Sequence, residues 1–163
     1  MWQRYLFLLA FAWWMGGLTF YALVVIPTAS HVLGNHRDVG FITQQVTYWL
    51  NLTGIVALLL SLWNIASVLP MARRRMRFLL VGTWFVMAAT HAALFISHSW
   101  LSAILDIDHH RIIDSDLFEF RHGVYETFVT IQWIAALLQM WLFLQLWQAS
   151  DRHSVAPVAA NDQ

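Results

Sequence analysis

The chain has 163 residues, 60% of them hydrophobic and 11% charged, with a formal net charge of zero and a mean hydropathy of +0.58. A soluble domain of this size needs far more polar surface, so the composition excludes one and points to a bilayer. Zero net charge leaves no basic footprint for nucleic acid, and with no cysteine there are neither disulfides nor thiolate metal sites.

Four stretches free of Asp, Glu, Lys and Arg follow in order: Tyr5 to Ile26, Val46 to Leu69, Phe78 to Leu105 and Thr127 to Ala149. Each exceeds the roughly 20 apolar residues that a spanning helix needs. The predicted fold is therefore all-α, an integral membrane four-helix bundle, with spans at 5–26, 46–69, 78–101 and 127–149. Pro27 and Pro70 follow the first and second stretches, where a missing amide proton predicts a helix end. Arg4 before the first stretch and Thr28-Ala29-Ser30 after it would suit a secretory signal. The stretch is too long for one, however, and contains Trp13 and Trp14. The third stretch outruns a bilayer, so Ser102 to Leu105 is expected at the interface. Residues 1–149 then form one transmembrane domain, and 150–163 read as a disordered cytoplasmic tail.

Orientation follows from arginine, because the chain has no lysine. Arg73, Arg74, Arg75 and Arg77 crowd the second link, and Arg4 and Arg152 fall on the same side of a four-helix topology. The positive-inside rule then predicts a multi-pass protein of the bacterial inner membrane with both termini cytoplasmic. The opposite loops carry His31, His36 and Asp38, then Asp106, Asp108, His109, His110, Asp114, Asp116, Glu119 and His122. Trp49 and Trp100 are expected at the outer interface, Trp2 and Trp147 at the inner one. Asp116 and Glu119 have the spacing of a capping box.

Depth along the helices, at about 1.5 Å per residue, brings polar groups from all four spans into one outer slab: Tyr21, Asn51, His91 with His98, and Glu126 with Gln132. Met87, His91, Leu94 and His98 share a stripe of the third helix, while His122, Tyr125, Val129, Gln132, Ala136 and Gln139 form a seam on the fourth. Tyr21, Asn51, Tyr125 and Gln132 read first as interhelical hydrogen-bonding groups. Imidazole is a different matter, since it titrates near neutrality and binds metals. Gly16, Gly17, Gly54, Ala57 and Ser61 supply small packing surfaces.

Several functions are consistent with this pattern, and no catalytic residue stands out. The leading expectation is a non-enzymatic protein that binds or passes a small cation, copper or zinc, at an outward-facing site of Met87, His91, His98, His122 and Glu126. Thioether and imidazole donors suit those metals better than magnesium or calcium. His122 and Glu126, four apart, could orient one another, and Asp108-His109-His110 resembles a metal tract although a solvated loop accounts for it first. The alternative is a b-type haem protein. His91 and His98 lie about 10 Å apart along one helix, too far to share an iron, so a haem would need one of them with His122 or His31 from another helix, and only His98 with His122 match in depth. A further alternative is an accessory subunit, with the bilayer and either a homo-oligomer or a larger membrane complex as partners.

The segment Trp14 to Pro27, WMGGLTFYALVVIP, together with His122-Gly-Val-Tyr125 and Gln132-Trp133, resembles the small four-helix membrane proteins grouped as TMEM-type domains of unknown function. The likeness runs from Trp2 to Arg152 and implies a four-helix integral membrane fold without a reaction. The aromatic-x-Gly-Gly segment is also similar to copper-resistance D-type membrane proteins, which handle copper at the periplasmic face. HemJ-type protoporphyrinogen oxidases have a similar Trp-x-x-Gly-Leu, matched by Trp14, Gly17 and Leu18. That family carries a histidine where this chain has Phe7, a departure that counts against haem-dependent oxidase activity.

Overall fold

The structure is a computed structural model and describes residues 2–34, 36–106 and 111–155. Four long helical columns make up the chain: α1 (Trp2–Phe20) continuing through a π-helical turn (Tyr21–Val25) into α2 (Ile26–Leu33), then α3 (His36–Val68), α4 (Arg74–Ser102) and α5 (Ser115–Val155). All four are long and apolar enough to cross a membrane. Within the most apolar window of each, only 22 to 39% of residues are buried. Trp13, Leu23, Leu59 and Phe85 instead face outward, giving the bundle the apolar outer cover that fits a membrane-spanning helix bundle.

Pro27 does not end the first helix as its chemistry predicts. It sits in the first turn of α2, directly after the π-helical turn. There a missing amide donor breaks no α2 bond, and the widened preceding turn accommodates the ring. The column ends instead at Gly34, whose φ of 59° is left-handed and whose N–H bonds Ser30 O at 3.1 Å. Pro70 does act as a terminator, within a 3-10 turn (Leu69–Met71) that closes α3. Arg77 caps that corner, donating from Nε to Ala72 O at 2.8 Å and from Nη2 to Pro70 O at 3.2 Å.

After α4, two short antiparallel strands, β1 (Leu105–Asp106) and β2 (Arg111–Ile112), pair Leu105 with Ile112 and Asp106 with Arg111. The segment expected to lie along the interface is thus partly a strand. The cap of α5 also differs from the capping-box reading. Asp114 Oδ1 accepts from Leu117 N at 2.9 Å, so Asp114 and not Asp116 holds the first turn. At its other end α5 runs through Ser150 to Val155, so the expected disordered tail begins as helix; residues 156–163 lie outside the described residues.

The columns alternate in direction, and the Arg4 guanidinium meets Asp151 at 2.9 Å, which sets the start of α1 beside the end of α5. We call this the terminal end and the opposite one the hairpin end. The apolar core fills the terminal half. Phe7 is fully buried with its ring 4.9 Å from Phe143, which in turn stacks on Trp147 at 5.5 Å. Trp147 is only 6% exposed; it is a core residue and not the interfacial anchor expected from its position. Trp2 and Trp49 are 77% and 65% exposed, as belt residues are.

Candidate functional site

Two polar features occupy the hairpin half. The deeper is a hub around His91, which is 4% exposed. Its Nε2 lies 2.9 Å from the backbone oxygen of Asn51 on α3, and its Nδ1 lies 2.9 Å from Gln132 Nε2 on α5. Because the amide nitrogen can only donate, Nδ1 accepts and Nε2–H donates to the carbonyl, which describes a neutral ring of one tautomer. The edges of Trp14 and Phe95 close on it at 5.8 and 5.4 Å. Gly54 makes this possible. A Cβ there would meet Trp14 Nε1 at 2.7 Å and would come closer still to His91 Cε1.

The hub leaves two buried atoms without partners, Asn51 Nδ2 and Gln132 Oε1. Tyr125, 8% exposed, faces the side chains of Asn51 and Thr47, so the hub continues toward the second feature, a cavity of about 280 Å³ at the hairpin end. Its polar lining is His98 from α4, His122 and Tyr125 from α5, Thr43, Gln44 and Thr47 from α3, and Ser30 from α2; Ile26, Val39, Leu101, Leu105 and Phe118 make most of it apolar.

Several polar groups on the cavity wall are anchored. His98 Nε2 donates to Gln44 O at 2.9 Å, and the Gln44 amide donates to Ser102 Oγ at 2.8 Å. Tyr21, held by the π-helical turn behind the wall, donates its hydroxyl to Thr43 Oγ1 at 3.1 Å. His122 Nε2 meets Glu126 Oε1 at 3.2 Å, and its ring stacks on Phe118 at 5.7 Å. The Glu126 side chain is 68% exposed, so it reaches His122 from outside the bundle.

The five donors expected to share a cation are therefore not brought together. Among the described residues no group of three or more His, Asp or Glu could hold a metal ion. The physical reason is axial. Met87 and His98 share a stripe, yet eleven residues separate them by about 16 Å. Met87 is 1% exposed within the apolar core, and both ring nitrogens of His91 are taken. His98 and His122 do share a cavity, the pairing that depth matching anticipates for haem. Asp108, His109, His110 and the His36 side chain lie outside the described residues.

Thr43, Gln44, Thr47 and Ser102 are site residues that sequence reasoning passed over. The first, third and Asn51 recur every four residues on α3, a polar stripe that could have exposed them. No family model, curated protein or solved structure matches this chain. Any functional reading therefore rests on the His91 hub and the hairpin-end cavity.

Proposed function

We propose that the chain is a multi-pass protein of a bacterial inner membrane, both termini cytoplasmic, which holds a small ligand in the outward-facing cavity between His98 and His122. The arginines at Arg4, Arg73 to Arg75, Arg77 and Arg152 support this orientation, since all belong to the terminal end. One observation carries the ligand reading: two imidazoles and a phenol from α4 and α5 line one mainly apolar cavity whose other polar groups are hydroxyls and an amide. Apolar walls with a few convergent polar groups suit a small uncharged amphipathic molecule bearing a hydroxyl or carbonyl. Native mass spectrometry after mild extraction tests it. A retained small-molecule adduct in the wild type, lost in His98→Phe, is expected, and a wild type that carries no adduct would sink the proposal.

A second reading, a copper or zinc ion held by Nδ1 of both rings, is favoured by the shared lining alone. Imidazole suits both metals. It predicts that His98→Ala and His122→Ala weaken binding of the metal while Met87→Ala leaves it unchanged, with Glu126→Ala weakening it less because that carboxylate only orients His122; binding indifferent to both histidines ends this reading. A bis-histidine haem finds less support, because Nε2 of His98 and of His122 already face the Gln44 carbonyl and the Glu126 carboxylate. Phe7, at the position where the oxidase resemblance has a histidine, is packed against Phe11, Phe143 and Trp147.

A further inference from the structure

The terminal half of the bundle carries buried polar groups that neither the hub nor the hairpin-end cavity explains. Ser61, Asn64 and Gln139 are fully buried, and Trp147 nearly so. Each retains one atom without a partner: Ser61 Oγ, Asn64 Oδ1, Gln139 Nε2 and Trp147 Nε1. Their other polar atoms are well held. Asn64 Nδ2 donates to Gln3 O at 3.1 Å and Leu60 O at 3.0 Å, and Gln139 Oε1 accepts from Thr83 Oγ1. Four orphaned donors and acceptors in one dry bundle would be costly, and in native proteins such atoms are routinely satisfied by buried water.

Their order along the bundle matters as much as their number. Trp84 Nε1 donates to Leu58 O at 3.1 Å, which sets the register of α3 against α4. Counting about 1.5 Å per residue from that contact, Ser61 lies about 3 Å beyond Thr83 and Gln139, Asn64 about 4.5 Å beyond Ser61, and Trp147 about 12 Å beyond Gln139. Steps of that size are what successive hydrogen-bonded waters span. The lowest rung adjoins a cavity: Gln3, whose backbone oxygen accepts from Asn64, and Arg4, whose guanidinium lies 5.5 Å over the Trp147 ring, both line a space of about 200 Å³ with Ser67 and Ser150 at the terminal end.

We propose that water enters this cavity and occupies a file of sites past Trp147, Asn64 and Ser61 up to Gln139, forming an aqueous vestibule in the terminal half of the bundle. The file stops there. The next polar layer, Gln132 with His91 and Asn51, is about 10 Å further on, and Ala57, Met87 and Ala136, all buried, occupy the interval. The protein then has two polar vestibules facing opposite ends with one apolar break between them. This holds whichever ligand occupies the hairpin-end cavity.

Magnetisation transfer from water in the solubilised wild-type chain is the direct test. Cross-peaks are expected at the Gln139 side-chain amide and at the Trp147 indole, whose N–H groups have no protein partner, and none at the Trp84 indole, which is bonded to a helix carbonyl. Silence at both would overturn the vestibule. The chain has no cysteine, so Ser61→Cys and Ala57→Cys each introduce a single thiol, one in the file and one in the break. Silver ion, which enters passages as narrow as a water file, should titrate the thiol at position 61 several-fold faster than that at position 57. Equal slow rates would again remove the file, and equal fast rates would remove the apolar break.

Discussion

Gly54→Ala puts the central packing claim to a quantitative test. The added Cβ would sit 2.7 Å from Trp14 Nε1 and 2.9 Å from Trp14 Cε2, and closer to His91 Cε1. Carbon contacts settle near 3.5 to 4.0 Å, so both rings must retreat, each by about 0.8 Å or more. Neither is free to do so. His91 is fastened at both nitrogens by 2.9 Å bonds, and Trp14 is 2% exposed. Overpacking of this kind costs about 1–3 kcal/mol. Removing a mid-helix glycine is worth about 1 kcal/mol in the opposite direction. Gly82→Ala in α4, where nothing lies within 4 Å, provides the reference because it contains only the second effect. The difference between the two variants isolates overpacking and should be about 1–3 kcal/mol. Reversible unfolding in mixed micelles, followed by helical circular dichroism, measures it. If Gly54→Ala proves as stable as Gly82→Ala, the close approach of α1, α3 and α4 around His91 is wrong. Adding Trp14→Phe, which removes the indole nitrogen from that contact, should recover part of the loss.

Other consequences follow from single contacts. His91→Phe leaves the Gln132 amide unpartnered and should destabilise by about 1–3 kcal/mol; a double-mutant cycle with Gln132→Leu should show coupling between them, whereas additive losses would mean no such bond. Gly34→Ala forces an alanine into left-handed backbone at φ 59° and should cost about 1–2 kcal/mol, while Gly40→Ala, with open space around it, should not; equal unfolding midpoints would contradict the α2 cap. Asp114→Ala should lose about 0.5–2 kcal/mol as the true α5 cap, with Asp116→Ala nearly silent, and the reverse ranking would restore the capping-box reading. Thermal unfolding of the four variants side by side decides both comparisons.

Four helices follow directly from this chain's composition and runs of apolar residues, because a bilayer admits few other ways to satisfy a backbone. The seven-residue recurrence of Tyr125, Gln132 and Gln139 likewise marks one face of α5, and all three are buried. Residue spacing could not say what that face meets. A stripe such as Met87, His91 and His98 defines an angle around a helix but says nothing about the depth at which a neighbouring helix supplies a partner. Tertiary packing decided that His91 is spent on Asn51 and Gln132, that Met87 belongs to the apolar core and that Glu126 lies outside. It also decided that Pro27 continues a helix, since the π-helical turn that accommodates the ring is not written in Pro27 itself. The close approach of α1 and α4 to α3 comes from Gly54, where an absent side chain lets Trp14 and His91 reach the backbone. Contacts of that kind join residues far apart in the chain, so they exist only once the helices are side by side.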